Sequence, residues 1–278
     1  MSKEKTITQQ SKTNFYYAFS VLPREKREAI YTLYSFCRQT DDIADSQGSH
    51  QKKQKTLDYW ERELFRQFNF QSHTRFDKVW KIAQKFRIPM EYFLELINGV
   101  RMDLAHVRFR SIEDLLNYCY RVASVVGLMS IEIFGYRDER VKEYAVNLGI
   151  ALQLTNIMRD VGVDAEMGRV YLPQEDLEKF GVSELDIIKK RSSDSFLELM
   201  HHQYLRAKSY YEKAAAALPY GERRNMIPSQ IMKNIYFHLL KMMEKHNFNV
   251  LHQKTEIPSL VKISIAFKTI LTEAVISI

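Results

Sequence analysis

The sequence has 278 residues and a net charge of +7, and 45% of its residues are apolar, but it contains only 9 glycines and 6 prolines. Few glycines and prolines argue against a strand-rich fold, which needs many tight turns, and two cysteines are too few for a disulfide framework. We therefore expect a helical protein of the reducing cytoplasm, whose basic surface suits nucleic acid, anionic lipid or a phosphorylated substrate.

Helical periodicity follows the chain in order. Residues 1–10 form a polar tail that we predict to be disordered, a helix is predicted from Pro23 through "REKREAIYTLYSFCRQTDDIAD", and the polar residues 46–55 are predicted to be a loop. Further helices are predicted over residues 57–68, 75–86, 89–104, 112–134, 141–167, 197–218 and 227–246, with a packed amphipathic terminus over 261–278. No segment alternates with a period of two, and none has the roughly 18 uninterrupted apolar residues of a membrane span. The sequence predicts a single all-α domain over residues 1–278.

Two of these helices carry acidic side chains within otherwise apolar sequence, in the stretches "CRQTDDIAD" and "QLTNIMRDVGVD". Each residue of an α-helix turns by about 100°, so that residues three and four apart share a face. The polar faces defined in this way contain Tyr34, Arg38, Asp41, Asp42 and Asp45 on the first helix, and Gln153, Asn156, Asp160 and Asp164 on the second. Taken alone, either stretch is more typical of a solvated acidic surface than of a metal site.

The two stretches together favour a metal site. Like charges four residues apart destabilise a helix by about 0.2–0.5 kcal/mol in water, and more when they are desolvated. Bound cations are the simplest compensation, and carboxylate and amide oxygens without His or Cys suit Mg²⁺ or Mn²⁺ better than Zn²⁺. Because Mg²⁺ usually completes its coordination with water and substrate phosphates, two facing acidic helices predict a phosphorylated ligand.

The stretches resemble the two signature motifs of the squalene/phytoene synthases, which are head-to-head members of the trans-isoprenyl diphosphate synthases. The matching text is "LYSFCRQTDDIAD" and "LGIALQLTNIMRDVGVDAEMGRVYLP", and "YCYRVASVVG" resembles the family's central pocket helix. The similarity runs from Ser11 to Tyr236, and bacterial dehydrosqualene synthases are the nearest match within the family. The resemblance implies the isoprenoid synthase fold, a helical bundle around a deep apolar cavity with the acidic helices facing each other at its mouth.

The resemblance also implies roles for individual residues. Metal ligands are implied at Asp41, Asp45, Asn156, Asp160 and Asp164, which would hold roughly two or three Mg²⁺ ions, or Mn²⁺ in their place. Asp42 would support this cluster, and Arg38 and Tyr34 join Asp41, Asp45, Asn156 and Asp160 as catalytic residues. Diphosphate contacts are implied at Ser11, Lys12, Thr13, Asn14, Tyr34, Arg38, Gln153, Arg159 and Tyr236. The apolar cavity is expected to be lined by Phe15, Phe19, Tyr118, Val122 and Leu152.

One element departs from the family pattern. The family's Ser-Lys-Ser/Thr-Phe element binds diphosphate, and here Asn14 stands between Thr13 and Phe15. Either the element bulges or its register shifts, so the individual contacts of residues 11–14 stay open.

The implied reaction joins two farnesyl diphosphates head to head, through presqualene diphosphate, into dehydrosqualene (4,4'-diapophytoene) for carotenoid biosynthesis. Bulky Phe15 and Phe19 favour the fifteen-carbon substrate, and the alternative is a phytoene synthase that uses two geranylgeranyl diphosphates. Squalene formation would need hydride from NADPH, which we do not expect, although the absence of "GxGxxG" decides little in a family without a dinucleotide-binding fold.

Functions of other classes are less well supported by the sequence. A non-catalytic relative would have lost motif carboxylates, and a nucleic-acid-binding protein would cluster the basic residues that are here interspersed with acids. We therefore expect a prenyl diphosphate as partner and no nucleic acid. The hydrocarbon product must leave into a membrane, so transient contact with the inner membrane face is expected. The oligomeric state stays open.

Overall fold

The structure is a computed structural model that describes residues 14–70, 73–105 and 108–276. Within these ranges it contains helices and no strand, so the predicted all-α class is confirmed. The helices are α1 (Asn14–Phe19), α2 (Arg24–Asp45), α3 (His50–Phe70), α4 (Asp77–Phe86), α5 (Met90–Leu104), α6 (Ile112–Cys119), α7 (Val125–Phe134), α8 (Arg140–Glu166), α9 (Gln174–Lys179), α10 (Glu184–Ile188), α11 (Asp194–Ala217), α12 (Ile227–Lys245) and α13 (Ser259–Ile276). A π-helical segment (Tyr120–Ser124) joins α6 to α7, and a short 3₁₀ helix (Tyr220–Glu222) precedes α12.

Helix α2 spans the stretch expected from the sequence, beginning directly after Pro23 and ending at Asp45. The loop predicted over residues 46–55 is wrong in its second half, because α3 already begins at His50. Lys and Gln are good helix formers, and the Ser49 hydroxyl accepts a hydrogen bond from the Lys52 amide at 3.3 Å. Lys53 also donates to the Ala44 carbonyl at 2.6 Å, which ties the new helix to the end of α2.

Two short helices, α9 and α10, escaped the sequence prediction because they lack a long periodic pattern. Their start signals are nevertheless visible in the sequence. Helix α9 follows Pro173, and α10 is capped by Ser183, whose side chain accepts a hydrogen bond from the Asp186 amide.

The central helix α8 is 27 residues long and packs against α7, α11, α12 and the π-helical segment. It ends at Glu166, and the expected stop signal follows at Gly168, which adopts a left-handed φ of 70°. At Gly149 the backbone of α8 approaches the π-helical segment closely, since a Cβ atom added there would lie 2.5 Å from the Cα of Ser124. A glycine is therefore required where these two elements meet.

The C-terminal helix α13 packs against α12 and α1, as expected for an amphipathic terminus. Asn234 donates a hydrogen bond to the Thr269 hydroxyl at 2.8 Å, and Arg223 forms an ion pair with the buried Glu273 at 2.6 Å. None of the helices in the described ranges combines the length and apolar character that a membrane crossing requires.

Replacing Gly149 by Ala should destabilise the protein by about 1–3 kcal/mol, because α8 and the π-helical segment would be forced apart. Urea unfolding followed by circular dichroism measures this change. The matched control is Gly221→Ala, at a position with no atom within 4 Å of the added Cβ, where a change within about 0.5 kcal/mol is expected. Equal effects of the two substitutions would contradict the close approach.

Candidate active site

A cavity of about 840 Å³ lies between α2, α7, α8, α12, the π-helical segment and residues 254–259. Most of the predicted site residues within the described ranges line it. These are Phe15, Phe19, Tyr34, Arg38, Asp41, Val122, Leu152, Gln153, Asn156, Arg159 and Tyr236. Residues 11–13 and the side chain of Asn14 lie outside the described part of the chain, so their predicted contacts with diphosphate stay predictions.

The cavity wall changes from polar to apolar along both α2 and α8. On α8 the lining begins with Arg159 and Asn156 and continues to Tyr144. Tyr144 and Asn156 are twelve residues apart, so this wall is about 18 Å long. On α2 it runs in the same way from Asp41 to Ile30. The two acidic stretches, distant in sequence, therefore share one polar mouth above one apolar interior.

Asp41 is exposed toward the cavity, but the surrounding protein still displaces part of the water around its carboxyl. This burial raises the pKa of Asp41 to about 7, and the negative charge of Asp103 adds to the effect, while Arg38 opposes it. Asp164, two turns beyond Asn156 on α8, has its pKa raised to about 7 by burial and by the charge of Asp160. At both carboxyls, desolvation is the larger cause and neighbouring carboxylates add to it, so the ionised form is disfavoured in the absence of a further cation.

Asp160 and Asp45 are instead paired with cations. Arg159 donates to Asp160 through both Nε, at 2.9 Å, and Nη2, and Lys254 lies 3.0 Å from the same carboxylate. Burial of Asp160 acts in the opposite direction, but these contacts hold the pKa of its carboxyl below the usual value. Asp45 accepts a hydrogen bond from Arg169 at 3.1 Å.

Asp42 is not among the described residues that line the cavity. Its carboxylate pairs with Arg38 Nε at 3.0 Å, and both side chains are about half exposed. Its support of the acidic cluster stays a prediction.

Tyr118 is not among the described residues that line the cavity, which corrects the sequence prediction. Its ring stacks on Tyr171 and packs against Phe109, with centroid separations of 5.5 and 5.2 Å. Val122 lines the cavity and Tyr118 does not, and the π-helical segment begins between them, at Tyr120. Because this segment is wound more widely than an α-helix, side chains four residues apart across it no longer share a face.

Asp103 at the end of α5 is a functional candidate that the sequence analysis missed. It accepts hydrogen bonds from Tyr171 at 2.8 Å and Tyr118 at 3.1 Å. Burial raises the pKa of Asp103, although these two hydrogen bonds act in the opposite direction. The negative charge of Asp103 in turn raises the pKa of Asp41. The available signal was a lone carboxylate in the apolar stretch "NGVRMDL".

Lys254 and Arg169 were also missed. Arg169 lies in "GRVYLP", which the family motif includes, whereas Lys254 lies in an irregular segment after α12 and carries no local signal. Its place beside Asp160 follows only from the tertiary structure.

Oxygen donors at the mouth fit a hard cation. The Asn156 Oδ1 atom is buried and has no hydrogen-bond partner, and Asp41 faces the same cavity. Among the described residues no three His, Cys, Asp or Glu side chains come together closely enough to hold a metal ion by themselves. Mg²⁺ usually takes one or two carboxylates and completes its coordination with water and ligand phosphates, so its binding here stays a prediction.

Comparison with known proteins shows one family. The family model for squalene/phytoene synthase matches residues 8–260. The chain is 36% identical over 266 residues to 15-cis-phytoene synthase of Synechocystis sp., which covers 91% of this chain and 79% of the relative. It is 34% identical over 242 residues to phytoene synthase 2 of Oryza sativa subsp. japonica, which covers 84% of this chain and 61% of the relative.

Solved structures resemble this fold over almost its whole length. A dehydrosqualene synthase in complex with ligand has a TM-score of 0.83 and 28% identity, and the match covers 98% of this chain and 95% of that one. Squalene synthase HpnC from Alicyclobacillus acidocaldarius has a TM-score of 0.79 and 29% identity, with 88% and 93% covered. The isoprenoid synthase fold implied by the sequence resemblance is thus confirmed.

The metal-free protein should lose stability as the pH rises from about 6 to about 8. Asp41 and Asp164, with pKa values of about 7, keep protons that an unfolded chain with carboxyl pKa values of 3.8 has released. The stabilisation is fully present below about pH 4 and is lost as the pH rises through about 7. For Asp164 the loss between pH 6 and 8 is at most about 1.4 kcal/mol, and for the more exposed Asp41 it is smaller because solvent screens the carboxyl.

Thermal unfolding in EDTA over this pH range measures the effect. Asp41→Asn and Asp164→Asn should each flatten the dependence, because asparagine has no proton to lose. Asp138→Asn is the control, since the hydrogen bond from Arg140 lowers the pKa of Asp138, which is ionised throughout this range. If both test variants keep the slope of the unchanged protein, the raised pKa values are wrong.

Proposed function

This chain belongs to the squalene/phytoene synthase family, and from that premise we propose that it joins two farnesyl diphosphates head to head into dehydrosqualene. The observation that carries the proposal is the cavity itself, whose polar mouth lies between the two acidic helices and whose interior is apolar. One end suits diphosphate groups, and the other suits prenyl chains.

Binding of diphosphate is assigned to the mouth. Arg38, Arg159 and Lys254 line it and can neutralise the negative charge that develops on a leaving diphosphate. We propose that Mg²⁺ is held by Asp41, Asp45, Asn156, Asp160 and Asp164 and, when bound, neutralises further diphosphate charge. Asp160 would exchange part of its pairing with Arg159 and Lys254 for this role.

The apolar interior is assigned to the prenyl chains and to the carbocation. Water would quench an allylic cation, and the interior wall excludes it. Phe15 packs against Tyr34 and Phe19, with ring centroids 5.2 and 5.6 Å apart. All three rings line the cavity, so their faces can stabilise a positive charge.

The proposed reaction balances in two stages. In the first, a carbon–oxygen bond of one substrate breaks, and diphosphate leaves. The double bond of the second substrate then attacks the resulting cation. Loss of a proton closes the cyclopropane ring of presqualene diphosphate. In the second, this intermediate loses its diphosphate, rearranges and releases another proton to give the hydrocarbon. No hydride is consumed, so NADPH is not required.

The choice of substrate length rests on the aromatic side of the cavity. Phe19 packs against Tyr31 with a centroid separation of 6.4 Å, one helical turn deeper along α2 than the contact between Phe15 and Tyr34. These rings narrow the interior, which favours farnesyl diphosphate. The second candidate is phytoene synthesis from geranylgeranyl diphosphate, which the names of the curated relatives support.

A product assay tests the proposal. Purified protein receives farnesyl or geranylgeranyl diphosphate with Mg²⁺, with and without NADPH, and both the extracted hydrocarbon and any remaining prenyl diphosphate are identified by mass spectrometry. Dehydrosqualene from farnesyl diphosphate without NADPH is expected. Phytoene from geranylgeranyl diphosphate would show that the substrate is the twenty-carbon diphosphate. Squalene formed only with NADPH would show that the product is the reduced hydrocarbon. No condensation of either substrate would contradict the proposed reaction.

Asp41→Asn and Asn156→Ala should each lower kcat/KM by about 100-fold or more, because each removes an oxygen donor from the charged mouth. Initial rates as a function of Mg²⁺ concentration measure the loss. The control is Asp138→Asn, whose carboxylate pairs with Arg140 and does not line the cavity; this variant should keep the rate of the unchanged protein. Nearly normal rates for both test variants would exclude these side chains from the site.

Phe19→Ala should shift the preference between substrates toward geranylgeranyl diphosphate by about tenfold or more, since a longer chain gains room. Competition between the two substrates, with products separated by mass, measures the ratio. Phe65→Ala is the control, because Phe65 is half exposed on α3. An unchanged ratio in Phe19→Ala would show that Phe19 does not limit the chain length.

A further inference from the structure

Helix α13 presents an apolar stripe to the surroundings of the protein. Leu260, Ile263, Phe267 and Leu271 are 80%, 50%, 62% and 51% exposed. Their spacing of three and four residues places them on one face of the helix, over a length of about 16 Å. The opposite face of α13 is buried through Ala266, Thr269 and Glu273. The stripe is therefore a second apolar face of a helix that is already packed.

The stripe begins where the cavity wall ends. Pro258, Ser259 and Lys262 line the cavity, and Leu260 lies between them in the sequence with its side chain exposed. The first turn of α13 thus separates the interior of the cavity from the outer surface. An apolar molecule that leaves at this point meets the stripe directly.

The charges around the stripe match an anionic surface. Lys268 is exposed at the side of the stripe, and the whole chain has a net charge of +7. A helix with an apolar face and a cationic flank is typical of segments that lie in the interface of a bilayer. Each lysine near an anionic membrane surface strengthens binding.

The size of the stripe argues against a second copy of the chain as its partner. The stripe consists of four exposed side chains, whereas a stable protein–protein interface uses about 20–30 residues on each partner. A bilayer has no such requirement, because it adapts to a single helix. We propose that α13 docks on an anionic lipid bilayer through Leu260, Ile263, Phe267 and Leu271, and that this places the cavity entrance at the membrane surface.

Vesicle flotation tests the docking with the purified full chain. The protein should float with vesicles of phosphatidylcholine and phosphatidylglycerol, and less with phosphatidylcholine alone or at high salt. The double variant Phe267→Ser, Leu271→Ser should bind the mixed vesicles at least about tenfold more weakly than the unchanged chain. Both side chains are exposed, so the fold should be retained, and circular dichroism verifies this. Lys268→Glu should weaken binding to the mixed vesicles only.

The matched control is Phe65→Ser, Phe70→Ser, which removes two exposed rings from α3 and should bind like the unchanged chain. Absence of vesicle binding by the unchanged chain, or equal losses in the two double variants, would overturn the proposal. The proposal would also be overturned if light scattering showed a dimer of the unchanged chain that only the α13 double variant disrupts. Flotation needs no catalysis, so this result and the product assay can fail independently.

Discussion

The close spacing of carboxylates around the cavity mouth is the constraint on which the rest of the site depends. Burial raises the pKa of Asp41 and of Asp164, because a carboxylate without water or a partner is unfavourable. Asp160 avoids this state by pairing with Arg159 and Lys254. The folded protein therefore keeps a site whose charges are only partly compensated, and a cation with an anionic ligand would complete the compensation.

Helix α8 couples this charged mouth to the apolar interior. The same helix contributes Asn156 at one end of the cavity and Tyr144 at the other, so their separation is set by the rise of one continuous helix. Tyr144 is anchored by a hydrogen bond to Ser229 of α12 at 2.9 Å. Leu152 and Leu148 form the wall between the two ends. The distance between the polar end and the apolar end of the cavity is thus built into one element.

Sequence periodicity predicted what depends on a helix face and missed what depends on tertiary contacts. Asp41 and Asn156 share a cavity as predicted, because each lies on a polar face within an apolar helix. The local winding at Tyr120 is invisible to a pattern that assumes a constant turn, which is why Tyr118 was placed wrongly. Lys254 reaches Asp160 from an irregular segment, and such a long-range contact has no periodic signal.

The contact of Gly149 with Ser124 has a consequence for how this protein can evolve. There, one wall of the cavity is backbone packed against backbone, and close-packed interiors resist displacement. Point mutations can move that wall only at a loss of stability. Changes in the length of the bound chain are therefore available mainly through the aromatic side chains of α1, such as Phe15 and Phe19. A lineage of such proteins would diversify its products on that side while the other wall stays unchanged.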